Sequence, residues 1–347
     1  MNQAQFEKLT IYGEYDAIIS GGGLIGATCA VALGRSGKRV ALVERRSTLG
    51  WELTRARRIL DWPPTLDAIA SSFTAELAKA AQLGSRQGLG FNAPAVELEL
   101  DRWVLEANVD VMFYGWPRNV TASGEHVDGL VVGTREGYVR LLAPLVVETD
   151  DFGRLIDSRI PRSTISRPIW RSCLLHDAVL PGNRVIEREN GCPISLRPLS
   201  HDHCRVDIPL TGEDLQSRDL EFHTALLEAL PLIRGEHGCE SAKLHYLAEE
   251  EWAQPGFRLT AETDGGAVIG QLVQGASSSE RALSHAPRRV TSQQLIDTHS
   301  KGLILGGPWL PSYLDASADS EIAGMVNRVL LGEAIAAFIG SMVLSKV

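Results

Sequence analysis

The order of apolar and polar positions predicts a βαβ unit near the start of the chain. Residues 15–20 form a short apolar run that is followed by glycine, which is typical of a buried parallel strand. Residues 24–36 carry small and apolar side chains at helical spacing, and residues 38–44, KRVALVE, supply a second apolar strand. A unit of about 30 residues with this order predicts a parallel sheet with helices on its faces.

The pattern of apolar and polar positions changes twice in the middle of the chain. Residues 64–83 start with proline and continue with alanine-rich helical periodicity, and residues 95–113 are predicted to form a strand, a short helix and a strand. Residues 126–148 alternate between apolar runs and glycine-bearing turns, which favours a β-meander ending in a buried strand. Residues 156–290 have shorter strands and longer polar loops, which indicates a second structural unit.

The apolar pattern of the C-terminal part resembles that of the start of the chain. It predicts a buried strand at 301–307 and a long helix over 319–344. Its apolar end is interrupted by Glu333 and is short for a bilayer span, which takes about 20 apolar residues. We therefore expect a buried helix and no membrane span. Residues 1–16 lack a basic region followed by an apolar stretch, so no signal peptide is expected.

These patterns predict an α/β fold with two domains, since 347 residues exceed one simple core. The first is a Rossmann-like cofactor domain with a parallel sheet and a β-meander, built discontinuously from residues 1–60, 95–155 and 295–347. The second is an inserted α+β substrate domain made of residues 61–94 and 156–294.

Composition narrows the function classes. A net charge of -9 and a pI near 5.5 argue against a nucleic-acid partner, because binding to that backbone rests on excess Lys and Arg. Five cysteines without a C-x-x-C pair predict a reducing, cytoplasmic setting.

Three glycines between the first strand and the first helix predict a dinucleotide site. Gly21 allows the tight turn, Gly23 lets the backbone approach a pyrophosphate, and Gly26 permits close packing of helix on strand. The pyrophosphate would lie at the N-terminus of the helix that begins near Leu24, where free N–H groups favour an anion. Glu44 ends the second strand 18 residues after Gly26. Its carboxylate suits ribose hydroxyls and disfavours the 2′-phosphate of NADP.

Three separate segments resemble the glutathione-reductase-like flavoprotein superfamily. Residues 21–54, GGGLIGATCAVALGRSGKRVALVERRSTLGWELT, resemble its FAD-binding motif, residues 100–151 its middle section, and residues 301–339 its last segment. The resemblance covers about half of the chain in the family's order, and it implies FAD as the cofactor. It also implies FAD-binding roles for Gly21, Gly23, Leu24, Ile25, Gly26, Glu44, Arg45, Arg46, Gly50, Thr54, Val120, Thr149 and Gly307.

Two turns depart from the family pattern. Residues 148–150 read Glu-Thr-Asp where an Ala-Thr-Gly turn is common, which predicts an altered backbone approach to the cofactor. Gly307 is followed by proline where Gly-Asp is common, and Asp315 and Asp319 are the candidates to replace that aspartate at the ribitol.

The source of electrons is left open by the sequence. Because a second glycine motif and a redox cysteine pair are both missing, a built-in NAD(P)H domain and disulfide reduction are excluded. The flavin would then be reduced by the substrate, by NAD(P)H that docks transiently, or by a partner reductase. The helix predicted to start near 317–320 is the candidate for placing its N-terminus at the flavin.

Several side chains have both a functional and a structural interpretation. Arg55 and Arg57 follow Gly50 and would bind a substrate carboxylate or lie as exposed helix charges. An apolar substrate pocket or ordinary packing would account for the aromatic residues Trp51, Trp62, Trp309 and Tyr313. The segment His201-x-His203-Cys204 would face the substrate or belong to an ordinary strand, and we predict no metal site there.

Three function classes follow. The first is an FAD-dependent oxidoreductase for a small organic substrate, acting as a dehydrogenase, an oxidase or a monooxygenase. The second is a flavin-binding or nucleotide-binding accessory protein without turnover, and the third is an NAD-linked dehydrogenase with a single dinucleotide motif.

Overall fold

The computed structural model describes residues 3–58, 71–83, 92–166, 169–188, 191–199, 202–253, 255–260, 266–275, 283–297, 299–317 and 321–344. Its helices are α1 Gln3–Phe6, α2 Leu24–Arg35, α3 Trp51–Thr54, α4 Ser72–Ala81, α5 Ala93–Glu106, α6 Leu215–Arg234, α7 Ser292–Leu295, α8 Pro311–Ser317 and α9 Glu321–Leu344. Its strands are β1 Thr10–Glu14, β2 Ala17–Ser20, β3 Val40–Glu44, β4 Asp110–Phe113, β5 Trp116–Ser123, β6 His126–Thr134, β7 Gly137–Leu142, β8 Val146–Glu148, β9 Arg162–Thr164, β10 Ile169–His176, β11 Arg184–Ile186, β12 Ile194–Pro198, β13 His203–Leu210, β14 Lys243–Leu247, β15 Trp252–Ala253, β16 Phe257–Leu259, β17 Val268–Gly275, β18 Leu283–Thr291 and β19 Leu303–Leu305.

A parallel sheet in the order β19-β8-β2-β3-β4 brings together strands from three distant parts of the chain. Ile18 lies opposite Val146 on one side and Ala41 on the other. Both β2 and β3 are buried along their whole length, as their apolar runs predicted. The predicted Rossmann-like parallel sheet is therefore confirmed.

The predicted β-meander is also present. Strands β5, β6 and β7 pair in antiparallel fashion, and β1 joins the sheet in parallel to β7. This places the meander directly before β8, which returns the chain to the parallel sheet.

A second, mainly antiparallel sheet is formed by residues from the predicted substrate domain. Its order is β11-β12-β13-β10-β14, with β15 paired to β10. Asp214 caps helix α6, since its side chain accepts a hydrogen bond from the Ser217 N–H at 2.7 Å. The helix packs Phe222 and Ala229 against the sheet, giving this unit a hydrophobic core of its own.

Helix α5 corrects the prediction of a strand, a short helix and a strand over 95–113. Residues 93–106 form one continuous helix, and only β4 is a strand. The buried positions Val96, Leu100, Trp103 and Val104 follow helical spacing. The Asn92 side chain caps the helix by accepting a hydrogen bond from the Ala95 N–H at 3.0 Å, so the cap and the long apolar period outweigh the local alternation of VELELD.

The domain boundaries predicted from the sequence stay a prediction. Within the described part of segment 61–94, Phe73 and Leu77 of α4 pack in the hydrophobic core of the parallel sheet. The β17-β18 hairpin, from segment 156–294, packs against α8 and α9. The described C-terminal residues Ala323–Met342 are apolar enough and long enough to cross a membrane, but 72% of their most apolar window is buried in the molecule, as the predicted buried helix requires.

Candidate nucleotide site

The glycine loop lies where β2 ends and α2 begins. Gly21 has a φ of +102°, a left-handed conformation that glycine adopts without strain. A side chain at Gly26 would lie 1.8 Å from the Gly21 carbonyl oxygen, so only glycine permits this approach of helix to strand. Gly23 is the N-cap residue of α2. The backbone therefore has the turn and the helix N-terminus that a dinucleotide site requires.

Glu44 is buried at the end of β3 and faces the loop. Its carboxylate accepts hydrogen bonds from the Gly22 N–H at 2.5 Å and the Arg46 N–H at 2.9 Å. These contacts hold the carboxylate beside the glycines, and its remaining lone pairs are acceptors for hydroxyl groups. The role of Glu44 toward a ribose stays a prediction.

The chain's own Glu52 carboxylate lies at the N-terminus of α2. Its two oxygens lie 3.1 and 3.2 Å from the backbone nitrogen of Leu24, which donates to them. The residue has no exposed surface. This is the position in which a helix N-terminus binds a phosphate, so an internal anion takes the place predicted for the pyrophosphate.

Arg328, from the last helix, neutralises this acidic corner. Its guanidinium lies 2.7 Å from Glu52 and 2.8 Å from Asp151, and it too is buried. Asp151 in turn accepts a hydrogen bond from the Trp51 indole at 2.9 Å. Burial raises the pKa of Glu52 above its usual value of 4.5, although the neighbouring Arg328 lowers it. Glu52 and Arg328 were both missed by the sequence analysis.

The Glu148-Thr149-Asp150 turn closes onto the glycine loop. The Thr149 hydroxyl donates to the Ser20 carbonyl at 2.8 Å. Glu148 is fully buried and accepts hydrogen bonds from the Ser20 hydroxyl at 3.1 Å and the Asp150 N–H at 2.9 Å. Burial, with the nearby Asp150 carboxylate, raises the pKa of Glu148 well above its usual 4.5. The polar groups of this altered turn therefore lie directly beside the glycine loop.

The segment after β3 lies over the loop. The Gly50 N–H donates to the Gly22 carbonyl at 2.8 Å, and Gly50 has a left-handed φ of +56°. Thr54 donates from its hydroxyl to the Leu49 carbonyl at 3.0 Å and so supports α3 internally. Arg46 stacks over the Trp51 ring at 4.3 Å, which closes this side of the loop with an aromatic surface.

Arg46 and Arg55 connect the loop region to the second unit. Arg46 lies 2.7 Å from Glu250, and Arg55 lies 2.8 Å from both Glu249 and Glu250. Arg45 lies farther from the same carboxylate, at 4.0 Å from Glu250. The guanidinium of Arg55 thus has two carboxylate partners within the chain, and its predicted contact with a substrate stays a prediction.

The Arg57 guanidinium also has a partner within the chain, because it stacks on the Tyr246 ring at 3.8 Å. Its predicted contact with a substrate also stays a prediction.

The remaining predicted residues are spread around the loop. Leu24 and Ile25 are buried in the first turn of α2, whereas Val120 is half-buried in β5, on the meander.

At the other end of the chain, Gly307 follows β19, and a side chain there would lie 2.3 Å from the Trp309 ring. The Trp309 indole donates to the Asp150 carbonyl at 3.0 Å, which brings this segment to the glycine loop. Tyr313 is buried in α8 and donates to the Gly324 carbonyl at 3.1 Å. Asp315 pairs with Arg258 at 2.6 Å, and its role at the ribitol stays a prediction.

Three of the residues weighed from the sequence, Trp62, His201 and Asp319, lie outside the described residues. The start of α9 at Glu321 follows directly on undescribed positions, so the helix start predicted near 317–320 stays a prediction. His203 lies 2.8 Å from Asp202, whereas Cys204 belongs to the hydrophobic core on the opposite face of β13. Within the described ranges, no group of three or more His, Cys, Asp or Glu residues is arranged to hold a metal ion.

A buried polar cluster joins the residues after α3 to the second sheet. Asp207 accepts from the Arg58 guanidinium at 3.2 Å, the Arg205 guanidinium at 2.8 Å and the Ser172 hydroxyl at 2.6 Å. All four side chains are buried. The cluster lies on the face of the sheet that does not carry α6, and sequence reasoning did not single it out.

The backbone of the glycine loop has the form that FAD requires, but the described conformation does not fit the FAD diphosphate. The Leu24 N–H that would meet a phosphate oxygen already donates to Glu52. The carboxylate also lies against Gly23, where an added Cβ atom would be 2.7 Å from Glu52 Oε1. A second anion cannot share this position, so Glu52 has to move before a diphosphate enters.

Comparison with known proteins gives a family match for the part of the chain that contains the glycine loop. Residues 16–157, fewer than half of the 347, match the family described as FAD dependent oxidoreductase. A search of curated protein sequences found no match to the chain. The family match confirms the prediction of an FAD-dependent oxidoreductase, with FAD as the cofactor of its family. It does not single out the glutathione-reductase-like superfamily.

Solved structures share the fold over nearly the whole chain. The p-nitrophenol 4-monooxygenase PnpA from Pseudomonas putida DLL-E4 aligns with a TM-score of 0.59 at 14% identity, covering 97% of this chain and 82% of PnpA. The myxobacterial FAD-dependent halogenase CndH aligns with 0.54 at 16% identity, covering 96% and 76%. Glycine oxidase from Bacillus cereus ATCC 14579 aligns with 0.50 at 14% identity, covering 94% and 95%. At these identities the likeness establishes the α/β fold.

Proposed function

We propose that this FAD-dependent oxidoreductase belongs to the glutathione-reductase-like superfamily and acts on a small organic molecule, as a dehydrogenase, an oxidase or a monooxygenase. One observation carries the proposal: the glycine loop and the buried Glu44 lie together inside the segment that matches FAD-dependent oxidoreductases. The shared fold with a p-nitrophenol monooxygenase and a glycine oxidase supports the same range of reactions. FAD, when bound, supplies the electron chemistry.

The substrate is proposed to bind between the loop region and the second sheet. Trp51 and Trp252 lie with their ring centres 5.5 Å apart across this boundary, and Arg58 reaches Asp207 beside them. Aromatic walls with a few buried polar groups are the usual lining of small-molecule sites. Arg55 and Arg57 lie at the edge of this boundary and are candidates to attract an anionic substrate.

Electrons are proposed to come from the substrate, from transiently bound NAD(P)H, or from a partner reductase. A cytoplasmic location belongs to the same proposal, and the five cysteines, all free in the structure, support it. The proposal needs neither a nucleic acid nor a membrane partner.

Anaerobic titration tests the proposal. Protein saturated with FAD is mixed with NADH, NADPH and panels of amino acids, phenols and hydroxy acids, and bleaching of the flavin absorption is followed. Bleaching by an organic compound supports a dehydrogenase or an oxidase. NAD(P)H oxidation that a phenol or another aromatic compound stimulates supports a monooxygenase. FAD that binds but is reduced by none of these, nor by a flavodoxin or ferredoxin reductase, contradicts turnover.

A second candidate is a non-catalytic, degenerate accessory protein that keeps the nucleotide-binding fold without using its diphosphate site. The position of Glu52 at the helix N-terminus specifically favours it, because a permanently held internal anion would exclude the diphosphate. Equilibrium dialysis distinguishes the candidates: the oxidoreductase binds FAD, whereas a protein closed permanently by Glu52 does not.

A further inference from the structure

We propose that Glu52 acts as an internal stand-in for the FAD diphosphate: it closes the N-terminus of α2 in the free protein and has to be displaced when FAD binds. The inference rests on the proposed function and goes beyond it, because it makes Glu52 a residue that sets cofactor affinity. Arg328 is proposed to be the counter-ion that stays in place during the exchange.

The contacts of Glu52 match what a phosphate would use. Both carboxylate oxygens face the Leu24 N–H, at 3.1 and 3.2 Å, at the positive end of the α2 dipole. The Gly23 position, whose missing side chain admits a phosphate, is filled by the same carboxylate. Glu52 therefore satisfies the donor and occupies the space that define the anion site.

The charges make the two anions competitors. Glu52 and Asp151 share the single guanidinium of Arg328, at 2.7 and 2.8 Å. Adding a diphosphate beside both carboxylates would place like charges together in a buried corner, which is unfavourable. If Glu52 moves away, Arg328 retains Asp151, and its Nη1 atom then faces the incoming phosphate.

The segment that carries Glu52 is short. Helix α3 contains four residues and begins after Gly50, whose left-handed conformation turns the chain at that point. Gly50 is joined to the glycine loop through the Gly22 carbonyl at 2.8 Å. The residues from Gly50 to Thr54 are therefore the part of the chain that has to adjust when Glu52 moves.

The test measures FAD affinity in the complete protein without using turnover. Glu52→Gln keeps the size of the side chain but removes its charge, and Glu52→Ala removes the side chain. Apoprotein is prepared for each variant, and the dissociation constant of FAD is measured by equilibrium dialysis and by calorimetry. Glu106→Gln, an exposed carboxylate on α5 paired with Arg102, changes the net charge equally and is the matched control.

Loss of the charged hydrogen bond predicts that Glu52→Gln binds FAD about ten- to a hundredfold more tightly than the wild type. Glu52→Ala is expected to bind at least as tightly as the Gln variant, and Glu106→Gln is expected to retain wild-type affinity. Circular dichroism and thermal unfolding establish that each variant is folded, and the Ala variant replaces the Gln variant if that one is not.

Two results distinguish a failure of this inference from a failure of the proposed function. If the wild type binds FAD and the folded Glu52 variants bind it equally or more weakly, the inference is overturned while the proposed function stands. If neither the wild type nor any folded Glu52 variant binds FAD at millimolar concentration, the proposed function fails as well.

Discussion

Glu52 and Arg328 form a buried ion pair at 2.7 Å, although 276 positions separate them in the chain. The pair joins α3, the short helix that follows β3, to α9. The charge balance of the nucleotide site therefore depends on Arg328, a residue far along the chain from the glycine motif.

Removing Arg328 is expected to destabilise the fold strongly. Arg328→Met leaves Glu52 and Asp151 buried without their shared cation, which should lower the free energy of unfolding by about 3–5 kcal/mol. Urea unfolding measures this loss. Arg102→Met, which breaks the solvent-accessible ion pairs of Arg102 with Glu76, Glu99 and Glu106, is the control and is expected to change stability far less. The double variant Glu52→Gln with Arg328→Met should lose less than the sum of the single losses, and strict additivity would argue against a coupled pair.

The contact between the glycine loop and α2 predicts that substitution by alanine has opposite effects on stability at Gly26 and at Gly340. In Gly26→Ala the new Cβ atom would lie 1.8 Å from the Gly21 carbonyl oxygen. We expect a loss of about 1–3 kcal/mol or more, together with loss of FAD binding. Gly340→Ala, in the open part of α9, meets no atom within 4 Å and should be stabilising by about 0.5–1 kcal/mol. Thermal and urea unfolding compare the two, and equal stability would contradict the observed loop geometry.

The buried Glu148 predicts a pH dependence of stability. Its pKa in the folded protein lies above the usual 4.5, so the unfolded chain releases this proton first as the pH rises. The free energy of unfolding should therefore fall from about pH 4.5 upward until the native group has titrated. The pKa of Asp150, also raised by burial, adds in the same direction.

Urea unfolding between pH 4.5 and pH 8 measures this slope. Glu148→Gln removes the titrating group and should show a shallower decline, whereas Gly340→Ala should keep the wild-type decline. An identical decline in Glu148→Gln and the wild type would show that the Glu148 carboxyl group is not the cause.

Thiol reactivity should be confined to one cysteine. Cys192 is partly exposed, whereas Cys29, Cys173, Cys204 and Cys239 are buried. Burial raises the pKa of Cys204 to about 12 and also raises the pKa values of Cys29 and Cys173. A thiol reagent should therefore label Cys192 quickly in the native protein and all five cysteines after unfolding. The fast phase should disappear in Cys192→Ser, and its persistence there would contradict the burial of the other four.

The parallel sheet and its first helix were predictable because their signals are local. The apolar runs of β2 and β3 and the spacing of Gly21, Gly23 and Gly26 specify strand, turn and helix within about 30 residues. The error at α5 arose because VELELD alternates like a strand over six positions. The Asn92 cap and the buried stripe through Trp103 become apparent only over the whole helix.

The electrostatics of the site were not predictable in the same way. Glu52 follows Gly50 closely in sequence, but nothing local shows that its carboxylate turns back to the Leu24 N–H. Its partner Arg328 reaches it only through the packing of α9 on α2. The pairing of Arg58 with Asp207 likewise depends on how the second sheet lies against the first unit.

Equilibrium dialysis with FAD, comparing the wild type with Gly23→Val, tests the central claim most directly. Valine at this position would place its Cβ atom 2.7 Å from Glu52 Oε1 and 3.3 Å from the Trp51 indole nitrogen, which fills the path of the diphosphate. The account predicts saturable FAD binding by the wild type and none by a folded Gly23→Val variant. Equal binding by both proteins, or no binding by either protein or by folded Glu52→Ala, would contradict an FAD site at the glycine loop.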